Sequence, residues 1–317
     1  MSLPVPSATG ADPVAVGPVA PEEAGVSLGR ATWRRLRRTP TAWVGATIIG
    51  LFVLVAIAAP LLTPYEPAST RWASEVSTTN VPGPSAEHWL GLDRYGADMA
   101  TQLVYGARTS LLYGVVSTLI GLLAGTALGA LAGGAGAVGG RVGAWVDATI
   151  MRLVDVMLAV PSLLLAVSIA AVLGTSGTAI VVAIGAAQVP VFARLLRSSM
   201  LAQAGADYVL AANALGLRRS RIVMSHLLPN SVGPTIVQAT LNLATAIIEV
   251  AALSYLGLGT PEVASAEWGR MLVAAQERFD EAPRLALLPG IAIAVTALGF
   301  TLLGEALREA LDPRSRR

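Results

Sequence analysis

The 317-residue chain contains no cysteine and no lysine. Without cysteine it can form no disulfide, no thiol nucleophile and no thiolate metal site. Without lysine it cannot build an ordinary P-loop, because a P-loop lysine reaches the nucleotide phosphates. Its two histidines, His88 and His226, are too few for a histidine-rich metal site. The sequence therefore predicts a non-catalytic chain with no metal and no cofactor of its own. Its expected role is to position and pass a solute rather than to break bonds.

Charge is also scarce. Only 13% of the residues are charged while 54% are hydrophobic, and the mean hydropathy is +0.64. Such a composition is too apolar for a soluble domain. A bilayer core of about 30 Å needs roughly 20 apolar helical residues, and the apolar runs predict six transmembrane helices in an all-α integral membrane protein. The predicted spans lie within 39–65, 109–140, 156–193 (a hairpin of two spans broken by "GTSG" at 174–177), 231–259 and 285–304.

All 22 basic residues are arginine, and their placement predicts the orientation. With the amino terminus inside, most arginines fall in the amino-terminal tail, the 194–221 loop and the carboxyl tail. Cytoplasmic loops carry such an excess. The arginines therefore indicate a multi-pass protein in the lipid bilayer with both termini in the cytoplasm, and they need no nucleic-acid partner.

The spans divide the chain into predicted regions. Residues 1–29 are rich in proline, alanine, glycine and valine without a period, which is typical of disorder. The predicted regions are a cytoplasmic, largely disordered tail (1–38), the first span (39–65), an extracytoplasmic segment (66–108), a core of spans two to six (109–307) and a cytoplasmic tail (308–317). Within the core we predict a cytoplasmic loop at 194–230 and an extracytoplasmic segment at 260–284.

Small residues recur every four positions in the second span, at Gly121, Gly125 and Gly129. Such a stripe lets two helices approach closely. It indicates helix packing in the bundle, or, alternatively, helices that slide past one another in a gated pathway.

The stretch 208–230, "YVLAANALGLRRSRIVMSHLLPN", is charged although it lies between apolar spans. Its apolar residues have helical spacing. Gly216 suits the position after a helix end, where φ is positive. Ser220 could cap a second short helix that Pro229 ends. The alanine pair 211–212 offers a surface with little side chain, suited to another protein's groove; the alternative is a surface hairpin held at the lipid headgroups by arginine.

This stretch resembles the EAA loop of permease subunits in ATP-binding-cassette importers, written EAA-x3-G-x9-I-x-LP. Leu210 stands where the family usually has glutamate. His226 stands where it often has isoleucine, although histidine before "LLPN" is usual in the peptide-importer branch. The positions that match, with the spacing intact, are Ala211, Ala212, Gly216, Leu228 and Pro229.

The resemblance implies that the loop is a coupling helix seated on a separate ATPase subunit. The residues it assigns to coupling are Tyr208, Leu210, Ala211, Ala212, Gly216, Leu217, Arg218, His226 and Pro229.

Five further stretches resemble the same family in the same order. They begin at His88 ("HWLGLDRYGADMATQLVYGARTSLLYG"), Asp147 ("DATIMRLVDVMLAVPSLLLA"), Glu249 ("EVAALSYLGLG") and Glu267 ("EWGRML"), and a fifth, "LLGEALREALDPR", closes the chain. Together they resemble the second, C-type permease subunit of dipeptide, oligopeptide and nickel importers in bacterial inner membranes.

The resemblance implies the type I permease fold and ATP-driven uptake of di- and oligopeptides by alternating access. Nickel complexes or glutathione-like molecules are the alternative cargoes. The implied partners are a homologous B-type permease, two ATPase subunits that hold ATP and Mg²⁺, and an extracytoplasmic substrate-binding protein.

Glu249 lies within the fifth predicted span. A carboxylate there is costly and usually faces the bundle interior or water. It is a candidate pathway residue near a substrate's amino group, or a hydrogen-bonded packing residue. Arg152 and Asp155 are three apart on one helix face and are predicted to pair locally.

The outer segment offers Asp93, Asp98 and Arg108 as pathway candidates near the point of cargo delivery. Alternatively, the glycines at 91 and 96 only shape a loop there. Trp268 is predicted to be an anchor at headgroup level or part of an outer gate.

Two other classes of protein are less consistent with the sequence. An ion-driven transporter should carry several intramembrane ionisable groups and internal repeats, but Glu249 alone is clearly intramembrane and no repeat is visible. An intramembrane enzyme would need a histidine pair, a cysteine or a metal cluster, which the chain lacks.

Overall fold

The computed structural model describes residues 28–67, 69–77, 80–260 and 266–311. The described chain is built from helices, most of them connected by short turns, and a long connection between residues 62 and 99 contains one 3₁₀ turn at Ala73–Glu75. The helices are α1 Leu28–Leu36, α2 Pro40–Leu62, α3 Met99–Val138, α4 Gly140–Leu158, α5 Ser162–Leu173, α6 Gly177–Gln203, α7 Asp207–Ala214, α8 Arg219–Ile222, α9 Leu228–Ser231, α10 Gly233–Tyr255, α11 Trp268–Gln276 and α12 Arg284–Leu311.

Five of these helices are long and apolar enough to cross a membrane, namely α2, α3, α6, α10 and α12. The remaining predicted span is a bent pair, in which α4 and α5 meet at an angle of 93°. Pro161 follows the last turn of α4 and disfavours helical backbone at the residue before it. Six spans are therefore present only if the bent pair counts as one, and the third begins at Gly140 rather than at Val156 as predicted.

Two helices begin within segments that were predicted to lie outside the membrane spans. Helix α3 begins at Met99, because the Asp98 side chain accepts a hydrogen bond from the Thr101 backbone N–H at 2.8 Å and caps the helix. Residues 99–108, which were predicted as part of the outer segment, are thus helical and continuous with the second span. Helix α1 replaces part of the predicted disordered tail, while residues 1–27 and 312–317 lie outside the described residues.

Helices α3 and α6 form the centre of the bundle. The glycine stripe of α3 faces α6, where a Cβ atom added at Gly125 would lie 2.5 Å from the Val189 carbonyl oxygen. A Cβ atom at Gly129 would lie 2.6 Å from the Ala193 carbonyl oxygen. These separations leave no room for a side chain, so the prediction of close helix packing is confirmed.

The bundle has two distinct ends. We call the end with the described residues 63–67, 69–77, 80–98, 256–260 and 266–283 the cap end, and the end with residues 204–232 the loop end. Helix α1 lies at the loop end, where the Arg35 guanidinium donates to the Ala310 carbonyl oxygen of α12 at 3.5 Å. Helix α3 has 40 residues, so it is about 60 Å long and joins the two ends without a break.

Candidate functional site

The loop end is built around a tight turn after α7. The Leu217 N–H donates to the Ala212 carbonyl oxygen at 3.2 Å, and the Gly216 N–H donates to that of Asn213 at 3.0 Å. This pair of hydrogen bonds is the Schellman arrangement. Gly216 has a φ of +73°, so the prediction of a glycine with positive φ after the helix end is confirmed.

The second half of the loop differs from its prediction. Helix α8 begins at Arg219, and no side chain caps it, so Ser220 is not a cap. A π-helical turn at Val223–Leu227 follows, and Pro229 lies in the first turn of α9 rather than ending a helix. A first-turn proline loses no helical hydrogen bond, which is why the chain continues into α10 almost without interruption.

The alanine pair divides between two faces of α7. Ala211 is exposed, whereas Ala212 is buried with Leu196 and Met200 of α6. The expectation that both alanines form an outward surface is therefore wrong for Ala212. Two leucines are instead exposed, Leu210 at 56% and Leu215 at 82%. These two leucines are the candidates for contact with another protein at this end of the bundle.

Arg219 connects this loop to the bundle. Its guanidinium donates to the Val138 carbonyl oxygen at the carboxyl end of α3. That carbonyl is one of the unpaired acceptors that every helix leaves at its end. A cleft of about 440 Å³ opens beside this contact and is lined by Asn213, Ile222 and Leu227 among others. Arg219 thus provides a direct polar contact between the loop and the end of α3.

We expect Arg219→Gln to lower transport per ATP hydrolysed by about tenfold, because one charge-assisted hydrogen bond, of roughly 1.5–3 kcal/mol, ties the loop to α3. Arg221→Gln is the matched control, since Arg221 is exposed in the same short helix. The ratio of transport to hydrolysis in reconstituted complexes measures the effect. Equal ratios for the two variants would exclude this role for Arg219.

The other loop residues that the resemblance assigns to coupling differ in their burial and contacts. The Tyr208 hydroxyl donates to Gln203 Oε1 at 3.1 Å and anchors α7 to α6. His226 is half-buried in the π-helical turn, and its carbonyl oxygen accepts from Asn230 Nδ2 at 2.7 Å. Leu217 is half-buried, while Arg218 and Pro229 are exposed. Their contact with an ATPase stays a prediction.

Two ion pairs join α4 to α6 near the loop end. Asp155 pairs with Arg194 and not with Arg152, so the predicted local pair is wrong. Asp147 pairs with Arg197, whose NH2 lies 2.6 Å from Oδ2. The bend after α4 turns its charged face towards α6, which a helix-face argument from sequence does not reveal.

At the cap end, Asp93 and Asp98 are buried and fully engaged. Asp93 accepts hydrogen bonds from the backbone N–H groups of Tyr95 and Ala97 and from Gln102 Nε2. Burial raises the pKa of Asp93, and these hydrogen bonds partly offset the effect. Asp98 caps α3 and lies 3.0 Å from His88 Nδ1. Both carboxylates thus hold the cap together, which favours the loop-shaping alternative over direct cargo contact.

The glycines of this segment support the same interpretation. Gly91 and Gly96 have φ values of +80° and +79°, and a Cβ at Gly96 would lie 2.3 Å from the Ala73 nitrogen. Arg108 is different, because it lies on the exposed face of α3. Its place in the pathway stays a prediction.

Trp268 is in the core and not at headgroup level. It is fully buried, its Nε1 donates to the Leu103 carbonyl oxygen at 3.0 Å, and its ring meets Phe52 edge to face at 5.7 Å between centroids. The anchor interpretation is therefore wrong. Gly106 admits the indole, since a Cβ there would lie 2.7 Å from Trp268 Cδ1. The sequence hides this fit because the two residues are far apart in the chain.

Sequence reasoning also overlooked the carboxylate next to Trp268. Glu267 is buried and caps α11 through the N–H groups of Gly269 and Arg270, at 2.8 and 3.1 Å. Burial raises the pKa of Glu267, against the hydrogen bonds that favour its charged form. The only sequence signal was its place before the helical "WGRML", and glutamate is not a common capping residue.

Glu249 lies in α10 and is 5% exposed. Its Oε1 accepts a hydrogen bond from the Ser162 hydroxyl at 2.9 Å, while its Oε2 has no partner among the described residues. Sequence reasoning missed Ser162, although a serine directly after Pro161 is consistent with the start of a helix.

The sequence matches two known protein families. The family described as "Binding-protein-dependent transport system inner membrane component" matches residues 121–317. The chain belongs to this family of transport permeases. A second family, described as the "N-terminal TM domain of oligopeptide transport permease C", matches residues 27–82 and thus α1, α2 and part of the cap. The match identifies the chain as a C-type permease of the ATP-binding-cassette importer class.

Relatives of this permease extend over nearly the whole chain. The dipeptide transport system permease protein DppC of Alkalihalophilus pseudofirmus is 42% identical over 91% of each chain. The glutathione transport system permease protein GsiD of Salmonella typhimurium is 40% identical over 90% of each chain, and that of Escherichia coli is 38% identical over 89%. The permease fold, the several membrane helices and the inner-membrane location follow from these matches.

Proposed function

We propose that this permease forms half of the membrane pathway of an ATP-driven importer of di- and oligopeptides. A homologous B-type permease supplies the other half, two ATPase subunits bind ATP and Mg²⁺, and an extracytoplasmic binding protein delivers cargo. The chain itself binds no cofactor and catalyses no reaction. The observation that carries the proposal is the loop end, which exposes Leu210 and Leu215 and is bonded to α3 through Arg219.

In this mechanism the loop end faces the cytoplasm together with both termini, and the cap end faces outward. The arginine distribution supports that orientation. ATP closes the two ATPase subunits, the α7–α9 loop follows them, and Arg219 carries the displacement to α3. A ligand shifts such an equilibrium only by its differential affinity for the two states. ATP and the loaded binding protein must therefore favour different conformations of the permease.

Glutathione is the second candidate cargo, because relatives named as glutathione permeases are 38–40% identical to this chain. The relative named as a dipeptide permease has the higher identity, 42%, and the "HLLPN" form of the loop resembles the peptide branch. The proposal of nickel complexes as cargo is supported by the family resemblance alone. We therefore place peptides first.

The test is reconstitution of the chain with its partner permease, ATPases and binding protein in liposomes. We expect uptake of short peptides that requires ATP and the binding protein, with glutathione taken up more slowly. Uptake of glutathione in preference to every peptide would reassign the cargo. Solute movement down an ion gradient by the chain without any ATPase would contradict the coupling mechanism.

A further inference from the structure

In the proposed orientation, the bend between α4 and α5 lies within the third predicted membrane span. Helix α5 has 12 residues, so it reaches only about 18 Å inwards from its outer end at Gly174. That depth is close to the middle of a hydrocarbon core of about 30 Å. The polypeptide thus leaves helical geometry at Ala159–Pro161, where a continuous span would keep every backbone group paired.

The first turn of α5 leaves polar backbone groups unpaired at this depth. Pro161 is its cap residue, and no side chain hydrogen-bonds to the helix start. The first internal hydrogen bond is from the Leu165 N–H to the Pro161 carbonyl oxygen at 3.0 Å. No described residue accepts a hydrogen bond from the N–H groups of 162–164, and these residues are exposed. Lipid cannot satisfy such groups, so they must face water or another protein.

Glu249 adds a carboxylate at the same point. Ser162, the first residue of α5, donates its hydroxyl to Glu249 Oε1 at 2.9 Å. Glu249 Oε2 is buried and has no partner among the described residues, and none of the ion pairs found there includes Glu249. Free donors at a helix start therefore adjoin an acceptor with one unused oxygen. Broken helices of transporters use such half-helix ends to hold substrate.

We propose that the α4–α5 bend and Glu249 form a subsite for the amino-terminal residue of a peptide, a step that rests on the proposed function. The peptide ammonium donates to Glu249, and the first peptide carbonyl oxygen accepts from the free N–H groups of residues 162–164. The ammonium and this carbonyl are neighbours on every peptide with a free amino terminus. The positive end of a helix dipole favours the carbonyl, and the carboxylate favours the ammonium.

Ser162 closes this subsite in the described conformation. Because Glu249 Oε2 is covered, the ammonium reaches the carboxylate only by replacing the Ser162 hydroxyl or after α5 shifts away from α10. Helix α5 is short, and the hydrogen bond between Ser162 and Glu249 is the polar contact recorded between these two helices. When the peptide ammonium replaces the Ser162 hydroxyl, Glu249 Oε1 keeps a hydrogen-bond donor. The subsite can therefore open without leaving that oxygen unpaired.

The first experiment compares trialanine with its des-amino analogue, which lacks only the ammonium. Uptake of each is measured in the reconstituted complex with wild-type chain, with Glu249→Gln and with the exposed control Glu305→Gln. The binding protein is the same throughout, so its own preference cancels between variants. We expect Glu249→Gln to reduce the ratio of trialanine to analogue uptake about tenfold, the value of one charge-assisted hydrogen bond, and Glu305→Gln to leave it unchanged.

A role for Glu249 in packing alone would lower both uptakes alike and leave the ratio unchanged, and that result would overturn the subsite. Failure of the wild-type complex to take up any peptide would instead contradict the proposed function. Ser162→Ala, with Ser198→Ala as its control, separates the contribution of the Ser162 hydroxyl from that of the Glu249 carboxylate. We expect Ser162→Ala to retain the trialanine preference, because the carboxylate remains.

The second experiment needs no transport. The chain has no cysteine, so Ser162→Cys gives it a single thiol for a water-soluble thiol reagent applied to the assembled complex. We expect labelling that trialanine slows several-fold and the des-amino analogue does not. A thiol that stays unlabelled, or that both compounds protect equally, would overturn the subsite whether or not the complex takes up peptides.

Discussion

Gly216→Pro should leave ATP hydrolysis by the partner subunits intact and reduce peptide uptake at least tenfold. Proline fixes φ near −65°, whereas Gly216 has a φ of +73°. Proline also removes the N–H that bonds to the Asn213 carbonyl oxygen at 3.0 Å. The turn after α7 must then rearrange, at a cost of about 1–3 kcal/mol, and Leu215 leaves its position. Parallel assays of hydrolysis and uptake in liposomes measure the effect.

Gly216→Asn is the matched control, because asparagine tolerates the left-handed region far better than other side-chain-bearing residues. We expect it to keep most of the uptake, since no atom lies within 4 Å of a Cβ added at Gly216. Normal uptake by the proline variant would rule out the turn as the coupling element.

Bulky residues at Ala212 are expected to uncouple the complex as well, but by disrupting the buried contact of α7 with α6.

The largest expected loss of stability follows from Trp268→Ala. Removing a fully buried tryptophan costs about 3–5 kcal/mol, and the Leu103 carbonyl oxygen loses its hydrogen bond to the indole as well. We expect a marked fall in the thermal midpoint of the detergent-purified complex. Because the ring joins α3, α11 and α2, the loss should begin at the cap end, where proteolytic cleavage reports it.

Trp268→Phe keeps an aromatic ring beside Phe52 but removes the indole N–H and part of the buried ring volume, so we expect a loss of about 1–3 kcal/mol, smaller than that of Trp268→Ala. Trp89→Ala provides the second comparison, since Trp89 belongs to the same end of the bundle but is 78% exposed. We expect its thermal midpoint to match the wild type. Equal midpoints for Trp268→Ala and Trp89→Ala would mean that the indole does not hold the cap.

The features that follow from local sequence were predictable. Gly216 could be placed after a helix end because only glycine takes a positive φ without penalty. The stripe from Gly121 to Gly129 predicted a close approach because its period is that of one helix face. The membrane spans followed from the length of the apolar runs. Each of these conclusions depends on neighbouring residues in the sequence and not on contacts with distant parts of the chain.

The features that failed depend on distant neighbours. The burial of Ala212 is set by α6, and the partner of Asp155 is Arg194 rather than the nearby Arg152. Trp268 looked like an interfacial residue because the space that Gly106 leaves for it is invisible in the chain order. The break at Pro161 fell inside a charge-free run, so hydropathy treated it as continuous membrane helix.

The unbroken length of α3 has a thermodynamic consequence. This single helix of 40 residues begins next to the hydrogen-bonded pair of Asp98 and His88. It ends at the Val138 carbonyl oxygen, which accepts a hydrogen bond from Arg219. Free-energy linkage between two distant ligands is reciprocal. If α3 couples the two ends as proposed, a binding protein docked on the cap changes the nucleotide affinity of the ATPase subunits by the same factor by which nucleotide changes the docking, and titrations run in both directions should give one common value.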